Sequence, residues 1–458
     1  MKHQKIHLQK LGKRILAEAN DLKRTPEALA SELGYDLSVV QSVINGDSDF
    51  EVAKSLLTRM CDKYPISLAK VWVEPNDTDE GVKIMRAQHS KSTARVFSRK
   101  NSLGKESSYY EYRDTVMSRT STFRPEWIKP IRIVNNNAPD NPDVAYNKGH
   151  LMHQCTFFIG EVNFYWEIDG TKYSAEMNTG DSNYITPFVP HSFTSRNPKE
   201  PGVIIAVTFG GEVCNALNEF TNISTSGIEI ISDKLNNEAQ AFKSRLDRFL
   251  NVESLDEREF ITRLISAGIK RDHAFQIIGG ITLPSRDQIN IIADVLSIRA
   301  NDLSVVPIDP KEIVIVNRSS ENKCRPYPSS NRPAYQLKEL ARTPNLSYLR
   351  GHDITVLESG GDTNNCFYHH LHEYLYNYGN VPIQLYWNDN NEEVMEPGDS
   401  AYIQPMVKHC FTCGDTTKPG NLVSLRIPGA LTDSVISEFS RYPSNHRNRV
   451  IQETDKWF

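Results

Sequence analysis

The sequence predicts an α+β protein made of a tandem repeat, in which an all-α domain is followed by a β-barrel and the same order then recurs. Residues 5–75 and 254–305 have the apolar periodicity of helices. Residues 95–208 instead alternate short apolar runs with turn signals, which is typical of a small barrel. The stretch 180–194, GDSNYITPFVPHSFT, returns at 398–412 as GDSAYIQPMVKHCFT. This match indicates duplication of the whole unit.

The first helical domain, residues 1–75, has the spacing of a helix-turn-helix. Its expected second helix, residues 37–44, contains no Lys or Arg, and the domain holds 11 basic and 10 acidic side chains. A DNA-reading module needs phosphate contacts and base-reading side chains on that helix. We therefore expect a structural or site-covering role and no DNA binding, with a ligand-sensing transcriptional regulator as the rival interpretation.

The remaining boundaries follow from composition and from the repeat. Polar residues 76–92 resemble a linker that opens a first barrel domain, 76–253. A second helical domain, 254–306, reproduces the spacing of Gly34 and Gly46 in Gly268 and Gly280. The second barrel domain then spans 307–458.

Composition excludes several classes of protein. The 458 residues carry a formal charge of −5, which gives no general attraction to nucleic acid or to an anionic membrane. Seven cysteines, an odd and scattered set, do not form a disulfide framework. With no apolar signal core and no membrane-length apolar run, the sequence predicts an unanchored cytoplasmic protein.

Two histidines and a glutamine form the candidate metal site of the first barrel. His150 and Gln154 precede a β-branched and aromatic run, so we expect both on one strand. Residues four apart on a strand share a face, whereas His153 faces the other way. His191, in the Pro-Phe-Val-Pro-His stretch after the Gly180-Asp181 turn, is expected to complete the set.

This pattern resembles the two motifs of the cupin family of jelly-roll barrels. The resemblance implies metal binding by His150, Gln154 and His191. Three ligands on one face with open positions suit non-heme Fe(II) and O2 chemistry. The chain departs from the usual pattern in one respect, because the expected carboxylate is the neutral Gln154.

The second barrel offers a better ligand set on chemistry alone, namely His369, Glu373 and His409. We nevertheless place the chemistry in the first barrel and expect the second to be structural. The reason is a group of side chains near the first set that are suited to holding a tetrahedral anion: Arg99, Lys100, Tyr110, Tyr112 and Asn147.

A helix-turn-helix-like domain joined to a cupin barrel resembles the phosphonate-processing iron oxygenases. The family includes a hydroxypropylphosphonate epoxidase, a hydroxyethylphosphonate dioxygenase and a methylphosphonate-forming branch. The resemblance implies that Lys23 reaches into an active site from a helical domain and acts in catalysis with Tyr110. It also implies that the phosphonate is bound by Lys23, Arg99, Tyr112 and Asn147.

The ligand positions distinguish the members of this family. The dioxygenase takes a Glu from six residues before the second His, where this chain has Ile185. With Gln154 as the third ligand, the pattern is similar to that of the methylphosphonate-forming branch. The resemblance implies Fe(II)- and O2-dependent C–C cleavage of 2-hydroxyethylphosphonate to methylphosphonate and CO2 or bicarbonate, without 2-oxoglutarate. The alternative is the dioxygenase reaction, which gives hydroxymethylphosphonate and formate. The expected assembly is a homo-oligomer, of which a tetramer is one form.

Overall fold

The computed structural model describes residues 2–234, 237–306, 309–328, 331–357, 365–413 and 418–452. The chain divides into two compact units, one made of residues 1–209 and 316–458 and the other of residues 210–315. Helices and antiparallel sheets both contribute, as the α+β prediction required. In chain order the helices are α1 Lys2–Asp21, α2 Pro26–Leu33, α3 Leu37–Ile44, α4 Phe50–Lys63, α5 Leu68–Val71, α6 Ala87–Ser92, α7 Glu212–Asn215, α8 Leu217–Phe220, α9 Thr225–Ile231, α10 Glu238–Glu253, α11 Glu257–Ser266, α12 Arg271–Ile278, α13 Arg286–Leu296, α14 Asp433–Ser440 and α15 Asn448–Gln452.

The strands are numbered in the same way. They are β1 Val82–Met85, β2 Arg95–Lys100, β3 Glu106–Asp114, β4 Phe123–Pro130, β5 His153–Ile159, β6 Val162–Ile168, β7 Thr171–Met177, β8 Ser182–Ile185, β9 His191–Ser195, β10 Val203–Phe209, β11 Val314–Asn317, β12 Arg325–Tyr327, β13 Tyr335–Glu339, β14 Arg350–Val356, β15 His372–Asn377, β16 Ile383–Trp387, β17 Asn391–Met395, β18 Ser400–Ile403, β19 His409–Cys413 and β20 Gly420–Ile427.

Helices α1 to α5 form a bundle with its own apolar core. Helix α2 begins where the Thr25 hydroxyl accepts a hydrogen bond from the Ala28 amide, and Pro26 supplies the fixed φ of a first helical residue. It ends at Gly34, whose left-handed φ of 72° would strain a residue with a Cβ. Gly12 lets α1 approach α3, because a Cβ there would lie 2.4 Å from the Ile44 carbonyl oxygen.

The 210–315 unit contains a second bundle, α10 to α13. Gly268 and Gly280 both have positive φ, as Gly34 and Gly46 do in the first bundle. Helix α13 begins with a capping box, in which Ser285 and Gln288 satisfy each other's backbone amides. The spacing that suggested a repeat therefore corresponds to the same backbone turns in both bundles.

The strands form two pairs of sheets with matching strand order. The first sheet pair joins a sheet in the order β11-β8-β5-β10-β4-β3-β2 to a smaller sheet β7-β6-β9. The second sheet pair joins β1-β18-β15-β20-β14-β13-β12 to β17-β16-β19. Their interiors are lined with aromatic and aliphatic side chains, among them Phe164 and Phe193 in the first sheet pair and Leu375 and Phe411 in the second.

One edge strand lies away from the barrel to which the sequence assigned it. Strand β1 comes from the stretch interpreted as a linker, yet it pairs antiparallel with β18 of the second sheet pair, with Val82 opposite Ile403. The Asp399 carboxylate accepts hydrogen bonds from the Ala87 amide at 2.7 Å and from Arg86 at 2.8 Å. The residues around β1 could not predict this pairing, because the partner segment lies more than 300 residues further along the chain.

The Gly-Asp motif of the first sheet pair has the equivalent contacts. Asp181 accepts hydrogen bonds from the Ser319 amide at 2.9 Å and from Arg318 at 3.2 Å. Each repeated motif thus anchors a segment that lies far from it in sequence.

Among the described residues, no helix is both long enough and apolar enough to cross a membrane.

Candidate metal centre

The first predicted ligand, His150, lies in the loop before β5 and not on the strand, so its expected location was wrong. The strand begins at His153. The loop turns at Gly149, which has a φ of 73°, and a Cβ there would lie 2.4 Å from the Phe188 carbonyl carbon. The Phe188 amide in turn donates to the His150 carbonyl at 2.8 Å. Contact between two loops therefore positions His150.

The three predicted ligands come together. His150 Nε2 lies 3.2 Å from Gln154 Oε1, and the His150 and His191 rings meet edge to face at 5.3 Å between centroids. Gln154 and His191 are each only 4% exposed. The Gln154 amide nitrogen donates to the Thr156 hydroxyl at 2.9 Å, which turns the amide oxygen toward His150. The amide oxygen of Gln154 is therefore the atom that could bind a metal ion.

Both imidazoles are held so that Nε2 points into the site. His150 Nδ1 contacts the Met152 carbonyl at 2.9 Å, and His191 Nδ1 contacts the Val189 carbonyl at 2.8 Å. A carbonyl can only accept, so Nδ1 carries the proton and Nε2 is unprotonated, with a lone pair that can bind a metal ion. Burial lowers the pKa of His191 to about 4. The Val189 carbonyl acts to raise this pKa, whereas His150 and Arg99 lower it further. His191 is thus neutral at pH 7, as metal binding requires.

His153 has a different environment. Its Nδ1 lies 2.7 Å from the Tyr184 hydroxyl, and its ring stacks on Phe209 with 5.5 Å between centroids. Burial lowers its pKa to about 4. This histidine belongs to the packing on the other face of β5.

Asn147 and Arg99 lie beside the imidazoles. Asn147 Nδ2 is 3.0 Å from His191 Nε2, and its Oδ1 accepts from the His191 amide at 2.8 Å. The Arg99 guanidinium donates to the Ala145 carbonyl at 2.8 Å and lies 4.7 Å from the centre of the Tyr110 ring. Asn147 thus contacts the predicted ligand His191, and Arg99 lies near enough to lower the pKa of that histidine.

The two predicted tyrosines differ in their surroundings. The Tyr110 hydroxyl accepts from the Phe193 amide at 2.8 Å, and Tyr335 makes the same contact with the Phe411 amide at 3.0 Å in the second sheet pair. Tyr110 therefore fills a position that both repeats use for packing. Tyr112 lies edge-on to Tyr110 at 5.6 Å, and burial and then Tyr110 raise its pKa while Arg99 opposes the rise.

Lys23 and Lys100 are not brought to the imidazoles by their described contacts. Lys23 follows α1 with a φ of 57°, and its ammonium lies 3.2 Å from the Asn20 carbonyl oxygen. Its side chain is exposed, and so is that of Lys100 at the end of β2. These contacts place Lys23 at the end of its own helix.

Glu126 is a component of the site that the sequence interpretation missed. It lies on β4 opposite Ala206, which itself lies opposite Thr156, so it shares the face of Gln154. Burial raises its pKa, against Arg95 and His150, which favour the carboxylate. Arg95 contacts it at 3.2 Å. The sequence feature that could have identified Glu126 is its position within the alternating run FRPEWIKP.

The second sheet pair brings together His369, Glu373 and His409, the ligand set that the sequence proposed there. Their ligand atoms all lie within 4.8 Å of one another. Glu373 is fully buried and would be raised in pKa by that burial, but Arg426 and the two histidines hold its pKa well below the usual range. This cluster therefore contains a buried carboxylate anion, whereas the first site contains the neutral Gln154.

The fold and the convergent imidazoles define a protein of the α+β class with two matching sheet pairs and a candidate metal site. No protein-family model matches the chain. Methylphosphonate synthase of Nitrosopumilus maritimus is 36% identical over 99% of the chain and 96% of the relative's length. The chain therefore belongs to the methylphosphonate synthase family of phosphonate-processing iron enzymes.

Two further relatives support this placement. The solved structure of 2-hydroxyethylphosphonate dioxygenase from Streptomyces albus, which holds its substrate and Fe(II), is 29% identical with a TM-score of 0.86 and 99% coverage of both chains. The (S)-2-hydroxypropylphosphonic acid epoxidase of Streptomyces wedmorensis is 28% identical over 41% of this chain and 89% of its own length. The resemblance predicted from the sequence is thus confirmed at the level of the family.

Proposed function

We propose that this protein cleaves the C–C bond of 2-hydroxyethylphosphonate in an Fe(II)- and O2-dependent reaction that yields methylphosphonate and CO2 or bicarbonate. The observation that carries the proposal is the convergence of His150, Gln154 and His191, with Ile185 opposite Gln154. Substrate and O2 together give methylphosphonate, CO2 and water, so no further reductant is required. We interpret the two sheet pairs as tandem cupin barrels and the first as the catalytic one.

The donor set fits ferrous iron. His150, His191 and Gln154 would hold the ion through two imidazole nitrogens and one amide oxygen, donors that ferrous iron accepts. Bound there, Fe(II) supplies a Lewis acid and a redox centre for substrate chelation and O2 activation. Because Gln154 is neutral, the metal unit keeps one more positive charge than with a glutamate, which favours an anionic substrate.

The side chains around this face supply the binding of the phosphonate. In our proposal Arg99, Tyr112 and Asn147 donate to its oxygens, for which a guanidinium, a phenol and an amide are suited. Arg99 lies over Tyr110, and Asn147 lies against His191, so both are already oriented by packing. Tyr110, with its hydroxyl already bonded to the Phe193 amide, positions this wall of the site.

Lys23 completes the site from a neighbouring subunit in our proposal, because its described contacts hold it at the end of its own helix. Mixed oligomers of Lys23→Ala and His191→Ala chains test this assignment. If the lysine acts in trans, the mixture regains activity that neither variant has alone. If the lysine acts within its own chain, mixing restores nothing.

O2 stoichiometry tests the reaction class. Anaerobically iron-loaded protein is mixed with 2-hydroxyethylphosphonate, and O2 uptake is recorded with and without 2-oxoglutarate. We expect one O2 consumed per substrate, no effect of 2-oxoglutarate, and no uptake by His191→Ala. Uptake that requires 2-oxoglutarate would refute the proposed reaction.

A second candidate is the dioxygenase reaction, which yields hydroxymethylphosphonate and formate. The similarity to the Streptomyces albus dioxygenase favours it. Ile185 favours methylphosphonate, because the dioxygenase pattern has a glutamate at that position. Product identification separates the two candidates.

A further inference from the structure

The second sheet pair contains a cluster that the proposed reaction does not use. We propose that His369, Glu373 and His409 bind a second divalent transition-metal ion, separate from the iron of the first site. The cluster lies at the start of β15 and β19, where the first sheet pair has Gln154 and His191 at the start of β5 and β9.

The ligand atoms already surround a common point. His369 Nε2 lies 2.9 Å from Glu373 Oε2, and His409 Nε2 lies 2.8 Å from the same oxygen. The side chains of Glu373 and His409 are fully buried. The contact of His409 does not have the geometry of a hydrogen bond, and among the described residues its buried Nε2 has no hydrogen-bond partner.

The hydrogen bonds of the outer ring nitrogens create a conflict that a cation resolves. His369 Nδ1 contacts the Leu371 carbonyl at 3.1 Å, and His409 Nδ1 contacts the Val407 carbonyl at 2.9 Å. With Nδ1 protonated, both Nε2 lone pairs are directed at a carboxylate oxygen, so three acceptors meet. The other neutral tautomer moves the same conflict to the backbone carbonyls. Protonation of both rings would also remove the repulsion, but it would place two imidazolium cations edge to face at 5.7 Å between centroids. One divalent cation between the three atoms replaces both protons and turns the repulsion into coordination.

The carboxylate is oriented as a metal ligand would be. Glu373 Oε1 accepts from the Ser424 hydroxyl and, at 3.2 Å, from Arg426 Nε. These two donors occupy one oxygen and leave Oε2 directed at the histidines. Metal-binding carboxylates are commonly fixed in this way by hydrogen bonds to the oxygen that does not ligate.

The surroundings exclude a second phosphonate site of the same design. Leu337 has the strand position of Tyr112, as judged from the register of the flanking strands. Arg426 lies opposite Glu373, where the first sheet pair has Thr208 opposite Gln154. The ion would therefore cross-link β15 and β19 without contributing to turnover. Two imidazoles and a carboxylate suit first-row ions such as Fe(II), Co(II) or Zn(II).

Metal stoichiometry tests the proposal. Metal-free protein is titrated with Co(II) alone under equilibrium dialysis, and bound cobalt is counted per chain. We expect two ions in the wild type, one in His409→Ala and one in His191→Ala. His372→Ala is the matched control and should keep two, because His372 Nδ1 contacts the Tyr402 hydroxyl at 2.7 Å, as His153 contacts Tyr184.

The number of ions bound by the wild-type protein can be measured whether or not a variant folds and whether or not the proposed reaction occurs. A wild-type protein that binds one ion overturns the proposal without any variant, and so does a His409→Ala protein that still binds two. If His409→Ala does not fold, the isosteric Glu373→Gln is used, with an expected loss of affinity at the second site of about 100-fold. Turnover of 2-hydroxyethylphosphonate by folded His409→Ala should be retained.

Discussion

At the residue scale, the site depends on which atom each side chain presents. Backbone carbonyls fix the Nδ1 of His150 and His191, and Thr156 fixes the amide of Gln154. The sequence could predict these three candidate ligands because His150 and Gln154 lie four residues apart and His191 ends a Pro-Phe-Val-Pro-His stretch. It could not identify Thr156 or Glu126, because their roles depend on strand pairing and burial.

Replacing Gln154 by Ala should lower Fe(II) affinity by at least about 100-fold and abolish turnover, since it removes the one oxygen ligand of the set. The matched control is His153→Ala. His153 directly precedes Gln154 in the sequence, but its side chain contacts Tyr184 and Phe209. That control should bind iron normally, although losing its contact with the Tyr184 hydroxyl costs about 1–3 kcal/mol of stability. Anaerobic Fe(II) binding measures both. Equal iron loss in the two variants would contradict the assigned geometry.

Thr156→Val should weaken Fe(II) binding by about 10-fold while leaving the ligands in place, because the Gln154 amide loses the acceptor that orients it. Thr194→Val is the matched control, since this buried threonine contacts Tyr165 and not Gln154. Fe(II) titration of both proteins checks the prediction. The same loss in both variants would mean that Thr156 acts only through packing.

At the element scale, loops and strand registers place the ligands. Strand β5 begins three residues later than the predicted position of its first ligand, so His150 is held by the Gly149 turn. Apolar alternation indicated the strand, but the strand start depends on contact with the Phe188 loop, which is distant in sequence. Strand pairing also places Ile185 directly opposite Gln154.

Gly149→Ala should destabilise the protein by more than about 2 kcal/mol and impair iron binding, because the new methyl group meets the Phe188 backbone. Gly170→Ala is the matched control. Its φ of 77° is equally left-handed, but nothing lies within 4 Å of the added methyl group. The control should lose only about 1 kcal/mol and no iron. Thermal unfolding and Fe(II) titration distinguish steric from conformational strain.

The register of β5 and β8 predicts an exchange of ligands. In the double variant Gln154→Ala, Ile185→Glu, a carboxylate projects from the residue opposite position 154, so iron binding lost in Gln154→Ala should return. We expect its product to shift toward hydroxymethylphosphonate. Gln154→Ala, Ile185→Leu is the control and should remain without iron. If Ile185→Glu does not restore iron binding to Gln154→Ala, the conclusion that positions 154 and 185 can supply the same ligand would be wrong.

At the scale of the whole molecule, the repeats are joined by strands that cross between them. The matching strand order of the two sheet pairs was predictable from the matching stretches 180–194 and 398–412. The pairing of β1 with β18 was not, because the polar stretch that contains β1 has the composition of a linker. The residues of β1 form a strand because they pair with β18.

Arg86→Ala should lower the free energy of unfolding by about 1–3 kcal/mol, because it leaves the nearly buried Asp399 without its cation. Lys408→Ala removes a pairing with the exposed Asp389 and should change stability by less than about 0.5 kcal/mol. Urea unfolding compares the two variants. Equal effects would contradict a stabilising role for the Arg86–Asp399 ion pair.

The central claim concerns the product of the first site. Iron-loaded protein is mixed anaerobically with 2-hydroxyethylphosphonate, O2 is admitted, and the phosphorus NMR spectrum is recorded. A methylphosphonate signal, absent in His191→Ala and retained in His409→Ala, is the predicted result. A spectrum with hydroxymethylphosphonate alone would assign the protein to the dioxygenase reaction, and an unchanged substrate signal with iron bound would contradict the proposed activity.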